Sequence, residues 1–190
     1  MIKRTCLAIA LVAACGGGKS GTTPSDDKMG KMDSTMVSNK GMPVDEASKF
    51  GALEIGADWK SYTKVNKAPV KSETHGGRMV DTYVNNAGLD AFKKSEDMPV
   101  GSIIVKTSKD ADDGTDGPVF VMEKRAPGFN KEHGDWWFAI HWESPPAKWA
   151  QKLGGPIYWR TPSKKADYCS ACHDDYVTGV GGVPDEQKAW

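Results

Sequence analysis

The sequence predicts an α+β domain whose strands pair antiparallel, and three observations lead there. Short β-branched or aromatic runs recur at 78–84, 102–107, 119–124 and 135–143, several with strand-like alternation. Helical spacing appears ahead of these runs and again between the first two. The connections are turns and a Gly/Asp loop, and the βαβ pattern of a parallel sheet is absent. With 190 residues, 38% hydrophobic and 26% charged, the chain accommodates one domain of ordinary size with a polar segment attached. Its 25 Lys+Arg balance 25 Asp+Glu, which argues against nucleic acid or a broad anionic membrane surface as partner.

The first segment is a targeting signal. Met1-Ile2-Lys3-Arg4 is basic, and Leu7 to Ala14 is an apolar run too short for the ~20 residues that span a bilayer. Val12-Ala13-Ala14-Cys15 resembles the bacterial lipobox, so residues 1–14 read as a signal peptide and Cys15 as the lipidated first residue of an exported protein. Ordinary signal cleavage with Cys15 as a bystander is the alternative; Cys6 leaves with the signal in either case. The expected location is the periplasm, with a bacterial membrane reached only through the lipid anchor. Gly18-Lys19-Ser20 imitates a phosphate loop, but the glycine required five positions earlier is Ala13. Residues 15–42 read as a disordered tether of Gly, Ser, Thr, Lys, Asp and Met without hydrophobic period, in which Met29, Met32 and Met36 read as filler rather than copper ligands.

The folded domain spans 43–190. Asp45 to Ile55 places Ala47, Phe50 and Leu53 at helical spacing with acidic residues in the first turn, which predicts a short helix. Arg78 to Val84 is a strand, Asn85-Asn86-Ala87-Gly88 a turn, and Leu89 to Lys93 a helix. Met98 to Gly101 is a turn, Ser102 to Thr107 a strand, Asp110 to Pro118 a loop, and Val119 to Lys124 a strand. Asp135 to Glu143 alternates so that Trp136, Phe138, Ile140 and Trp142 share one face and Trp137, Ala139, His141 and Glu143 the other. The tryptophans read as packing residues, His141 as a hydrogen-bonded structural histidine, and His75 and His133, beside glycines, as loop residues.

Cys169-Ser170-Ala171-Cys172-His173 carries the chemistry. C-x-x-C-H is the attachment signature of c-type haem: two thiols add to the vinyl groups and the histidine reaches the iron. One covalent haem c is therefore expected near the C-terminus, with Cys169, Cys172 and His173 as its attachment and His173 as iron ligand. A thioredoxin-like pair lacks its βαβ context, a zinc site would need further ligands from His75, His133 or His141, and a plain disulfide is the remaining competitor. Electron-carrier cytochromes c place the motif near the N-terminus with a methionine downstream; here no methionine follows His173.

Several ordered motifs sharpen this. His75-Gly76-Gly77-Arg78, Tyr83-Val84-Asn85-Asn86-Ala87, Gly101-Ser102-Ile103-Ile104-Val105-Lys106, Val121-Met122-Glu123-Lys124, Gly134 to Ala139 and the terminal C-x-x-C-H together resemble the cytochrome P-460 family, which includes cytochrome c′-beta. The resemblance implies a mostly antiparallel sheet with flanking helices, an iron with histidine on one side and an open position on the other, and a homodimer. One branch of that family oxidises hydroxylamine and has a lysine cross-linked to the haem; the other binds nitric oxide behind apolar or aromatic side chains. Lys106 resembles the cross-linking lysine, with a solvent-facing strand lysine as the alternative. Glu123 resembles a distal carboxylate that takes protons from hydroxylamine, with pairing to Lys124 or Lys106 as the alternative, and Arg78 reads as a holder of an anionic group or a haem propionate, with a surface strand arginine as the alternative. The partners expected are a small nitrogen-oxide ligand or substrate and a periplasmic electron acceptor. An electron-transfer cytochrome is the alternative, in which Met79, Met98 or Met122 would fill the sixth position.

Overall fold

The computed structural model describes residues 50–190. The expected signal peptide, Cys15, the expected tether and the start of the first expected helix lie outside them. Seven strands form one antiparallel sheet: β1 (Thr63–Lys64), β2 (Val70–Ser72), β3 (Arg78–Val84), β4 (Ile103–Lys109), β5 (Val119–Lys124), β6 (Trp136–Trp142) and β7 (Ile157–Arg160). Their order is β1-β3-β4-β5-β6-β7, with β2 beside β1 on the same edge of β3. Three helices accompany the sheet, α1 (Asn86–Lys94), α2 (Ala147–Leu153) and α3 (Asp167–His173). The chain is thus α+β with a mostly antiparallel sheet, as the alternating runs predict. Among the described residues no helix is long and apolar enough to cross a membrane.

Register assigns every side chain to a face. Thr82, Lys106, Phe120, Ile140 and Trp159 stand side by side across the sheet, as do Val84, Ile104, Met122 and Phe138 one step along. This face packs against α1, α3 and the C-terminal segment, which brings Val180 and Val183 onto Val84, Met122 and Phe138. The segment then pairs its end with Val65 to Lys67 and sets Trp190 against Phe92. The opposite face carries Val105, Val121, Trp137, Ala139 and Tyr158 beneath Leu53, Ile55, Trp59 and Tyr62. Both faces of β6 are therefore buried. Its alternation is a two-sided division rather than the inside-outside one of a half-exposed strand.

Two local expectations change. The helix over Asp45 to Ile55 does not form in its described part: residues 50–53 lack regular structure, and the first helical turn among the described residues is a 3-10 turn at Ala57–Ser61. Tertiary contacts outweigh the periodicity. The Glu54 amide bonds the Tyr158 hydroxyl at 2.8 Å, and the Glu54 carboxylate meets the fully buried Arg160 guanidinium at 2.7 Å. Helix α1 starts three residues earlier than expected, because Asn85 caps it instead of opening a turn. Its Oδ1 accepts from the Gly88 and Ile103 amides and its Nδ2 donates to the Gly101 carbonyl, tying helix, β3 and β4 at one point. Neither α2 nor β7 was expected.

Candidate functional site

Helix α3 is two turns long, and its sequence decides what it presents. Positions 169, 172 and 173 stand at i, i+3 and i+4, so Cys169, Cys172 and His173 share one helical face. They line a cavity against the sheet, whose wall is Ile104, Lys106, Phe120, Met122 and Phe138. No disulfide joins the two cysteines. Burial, reinforced by the neighbouring Cys172, pushes the Cys169 thiol up to about 12.

His173 is held in one tautomer. Its Nδ1 lies 2.9 Å from the Gly179 carbonyl, and a carbonyl only accepts, so Nδ1 carries the proton and Nε2 keeps a lone pair. This is the arrangement a metal-ligating imidazole needs. Gly179 supplies that carbonyl from a left-handed backbone, φ 71°, at a place where a Cβ would meet Trp136 Nε1 at 2.6 Å. Burial, then the charge of Lys106, lower His173 to about 4 against the opposing pull of the Gly179 bond and Asp174, so the ring is neutral at physiological pH. Asp174 also meets His133 at 2.8 Å, which fastens the end of α3 to the loop before β6.

Lys106 projects from the middle of β4 into this cavity. No acceptor among the described residues bonds its ammonium, and burial lowers it to about 8. About a tenth of the amine is then uncharged at pH 7, against well under roughly a thousandth for an exposed lysine. A nucleophilic nitrogen beside two thiols and a bare imidazole is what the sequence motif and the GSIIVK strand bring together only in three dimensions.

Arg78 and Glu123 do not join them. Arg78 is buried at the start of β3 in an adjoining hollow, its guanidinium 5.1 Å from the Trp142 ring and 6.0 Å from the Trp149 ring. The two hollows share Thr74, His75, Phe120 and Tyr168 as walls. Glu123 departs from its expected distal position: Met122 faces the cavity, so its neighbour Glu123 faces the other side of the sheet, in register with Ile103 and Trp137. There its carboxylate pairs with the buried Arg125 at 2.7 Å. Strand parity is the reason.

Of the three candidate methionines, Met122 lines the cavity, whereas Met98 packs with Phe92 in the core and Met79 lies on the other face of β3. Trp136, Trp137 and Trp142 are packing residues, and His141 bonds the Gly51 carbonyl at 3.0 Å between Phe50 and Tyr158.

His75 is the cavity residue that sequence reasoning passed over as a loop histidine. It ends a 3-10 turn, Glu73–His75, and Gly76 and Gly77 follow in left-handed conformations, φ 79° and 70°, which turn the chain into β3. The His-Gly-Gly-Arg motif thereby places its histidine in the cavity and its arginine in the neighbouring hollow. Burial and the charges of Lys106 and His173 hold His75 at about 3.

The donor set matches a haem: two thiols for its vinyl groups, a bare imidazole nitrogen for its iron, an apolar sheet wall for its ring and a guanidinium next door for a propionate. Among the described residues no three His, Cys, Asp or Glu side chains gather as a bare metal ion requires, which leaves a zinc site without its further ligands. Comparison with known proteins agrees with the chemistry. The family model Cytochrome P460 matches residues 57–178, from the 3-10 turn beside the sheet to just past α3. No curated protein matches the chain.

Proposed function

The chain belongs to the cytochrome P460 family of haem proteins, and from that premise we propose that it is an exported c-type haem protein with an open iron position acting on small nitrogen oxides. The observation that carries this reading is one cavity lined by Cys169, Cys172, His173 and Lys106. Thioether formation is redox-neutral: each S–H adds across a vinyl C=C, so the sulfur and the hydrogen both end on the vinyl carbons. His173, with its proton pinned on Nδ1, offers Nε2 to the iron. The haem supplies a redox-active iron that binds and exchanges electrons with the nitrogen ligand.

Lys106 supports the hydroxylamine-oxidising branch. Its partly uncharged amine is suited to bond a ring carbon; that bond replaces one N–H and one C–H, a two-electron oxidation that needs a peroxide-class oxidant during maturation. The aromatic walls Phe120 and Phe138 are the observation favouring nitric oxide binding as the second reading. Arg78 fits a propionate partner, since it is buried against two tryptophans with no carboxylate salt bridge among the described residues. The lipid anchor at Cys15, the periplasmic location, a homodimer and a periplasmic electron acceptor complete the proposal.

Intact mass and optical spectra of the matured protein, extracted with detergent from the membrane fraction, test it. The mass expected includes one haem that survives denaturation, and the ferric spectrum is five-coordinate. A ferrous Soret band far to the red of ordinary haem c, lost in Lys106→Ala, assigns the hydroxylamine branch; an unshifted band that moves with nitric oxide assigns the binder. A mass lacking haem overturns the reading.

A further inference from the structure

With Glu123 on the far side of the sheet, the cavity lacks the carboxylate expected to serve an iron-bound ligand. Two of its basic groups, Lys106 and His173, already have tasks under the reading above. His75 has none, yet its ring is fixed in place. Nδ1 lies 2.7 Å from Ser72 Oγ and 3.3 Å from Thr74 Oγ1, and the ring meets Phe120 at 4.7 Å and 75°, edge to face. Nδ1 is therefore engaged on the protein side, and Nε2 is the nitrogen left for the cavity. His75, Lys106 and His173 line the same cavity.

We propose that His75, held by Ser72, is the distal hydrogen-bonding residue of this site, its Nε2 bonding the small nitrogen-oxide ligand on the haem iron. The proposal rests on the haem reading above. The Ser72 hydroxyl sets the tautomer. When it donates to Nδ1, Nε2–H donates to the oxygen of nitric oxide or its reduced forms; when it accepts from Nδ1–H, Nε2 accepts from the N–H or O–H of hydroxylamine. A neutral, pivot-controlled partner serves both ligand types. Ser72 acts through His75 and is a positioning residue.

Carbon monoxide on the ferrous full-length holoprotein is the probe, read by its infrared C–O stretch, which a hydrogen-bond donor lowers. His75→Phe raises the stretch and Ser72→Ala moves it part of the way, while His75→Gln, which keeps an N–H, holds it closer to the parent value. Nitric oxide leaves the ferrous His75→Phe protein about tenfold faster, the loss of one hydrogen bond to a polar ligand. Intact mass and circular dichroism confirm that each variant is folded and haem-loaded. An unchanged C–O stretch in both His75 variants overturns the proposal and leaves the haem reading standing. A six-coordinate parent that turns five-coordinate in His75→Phe makes His75 an axial ligand, which overturns the proposal together with the open position. A parent mass without haem overturns both at the first step.

Discussion

Replacing Lys106 by methionine stabilises the haem-free chain, and the size of the gain follows from the cavity. In the unfolded chain the amine titrates near 10.5; in the fold burial brings it to about 8. At ~1.4 kcal/mol per pH unit, holding the charged form inside costs about 3 kcal/mol, and water entering the cavity reduces this to about 2–3 kcal/mol. The sign is that of a buried base: the unfolded chain binds more protons between the two values, so the parent gains stability as pH rises from 8 to 10.5. Below 8 it bears the whole penalty. Methionine has similar length and no charge, so Lys106→Met is more stable by about 2–3 kcal/mol at pH 7, a rise in Tm of roughly 5–10 °C. The advantage shrinks through pH 8–10.5 and is gone above it. Urea titrations of parent and variant across pH 6.5–11 measure the difference directly, because titrations common to both cancel. A gain that is absent at pH 7, or that persists unchanged above pH 10.5, refutes the argument that the cavity destabilises a charged lysine. The same penalty is relieved in the mature protein if the nitrogen is bonded to the ring.

Three further outcomes follow from the geometry. Glu54→Gln and Arg160→Met each cost about 3–5 kcal/mol in denaturant titrations, because each leaves one member of a buried ion pair 2.7 Å apart without its partner, while the double variant costs clearly less than the sum. Glu123→Gln leaves the spectrum of the holoprotein and its nitrogen-oxide reactivity unchanged, and lowers stability by about 1–3 kcal/mol through the buried Arg125 it no longer neutralises; a large loss of turnover with an intact fold would place the carboxylate at the iron after all. Gly179→Ala, at φ 71° and against Trp136, costs about 1–3 kcal/mol and shifts the reduction potential of the holoprotein, because the carbonyl that bonds His173 must move. Chemical denaturation and a redox titration check the two parts.

Chemistry that depends on neighbours in the chain is legible from residue order alone. Cys169, Cys172 and His173 fall on one face of any helix that holds them, and the alternation of 119–124 and 136–142 assigns strands and their faces from period alone. The turn-linked runs were enough for the fold class. Whatever depends on distance in space came from packing. A period of two says that Met122 and Glu123 face opposite ways but not which side holds the cavity, and that side was chosen by where α3 and the C-terminal segment pack. Glu123 therefore sits with Arg125, while Lys106 stands before the motif. His75 carried a readable trace, two glycines that reverse the chain directly after it, yet a histidine before a turn belongs to solvent or to a site according to what lies across from it. The segment at 50–56 shows the same limit in the other direction: its helical spacing was real, but the buried Arg160 and the Tyr158 hydroxyl, more than a hundred residues away, bound its carboxylate and amide more strongly than a short helix could.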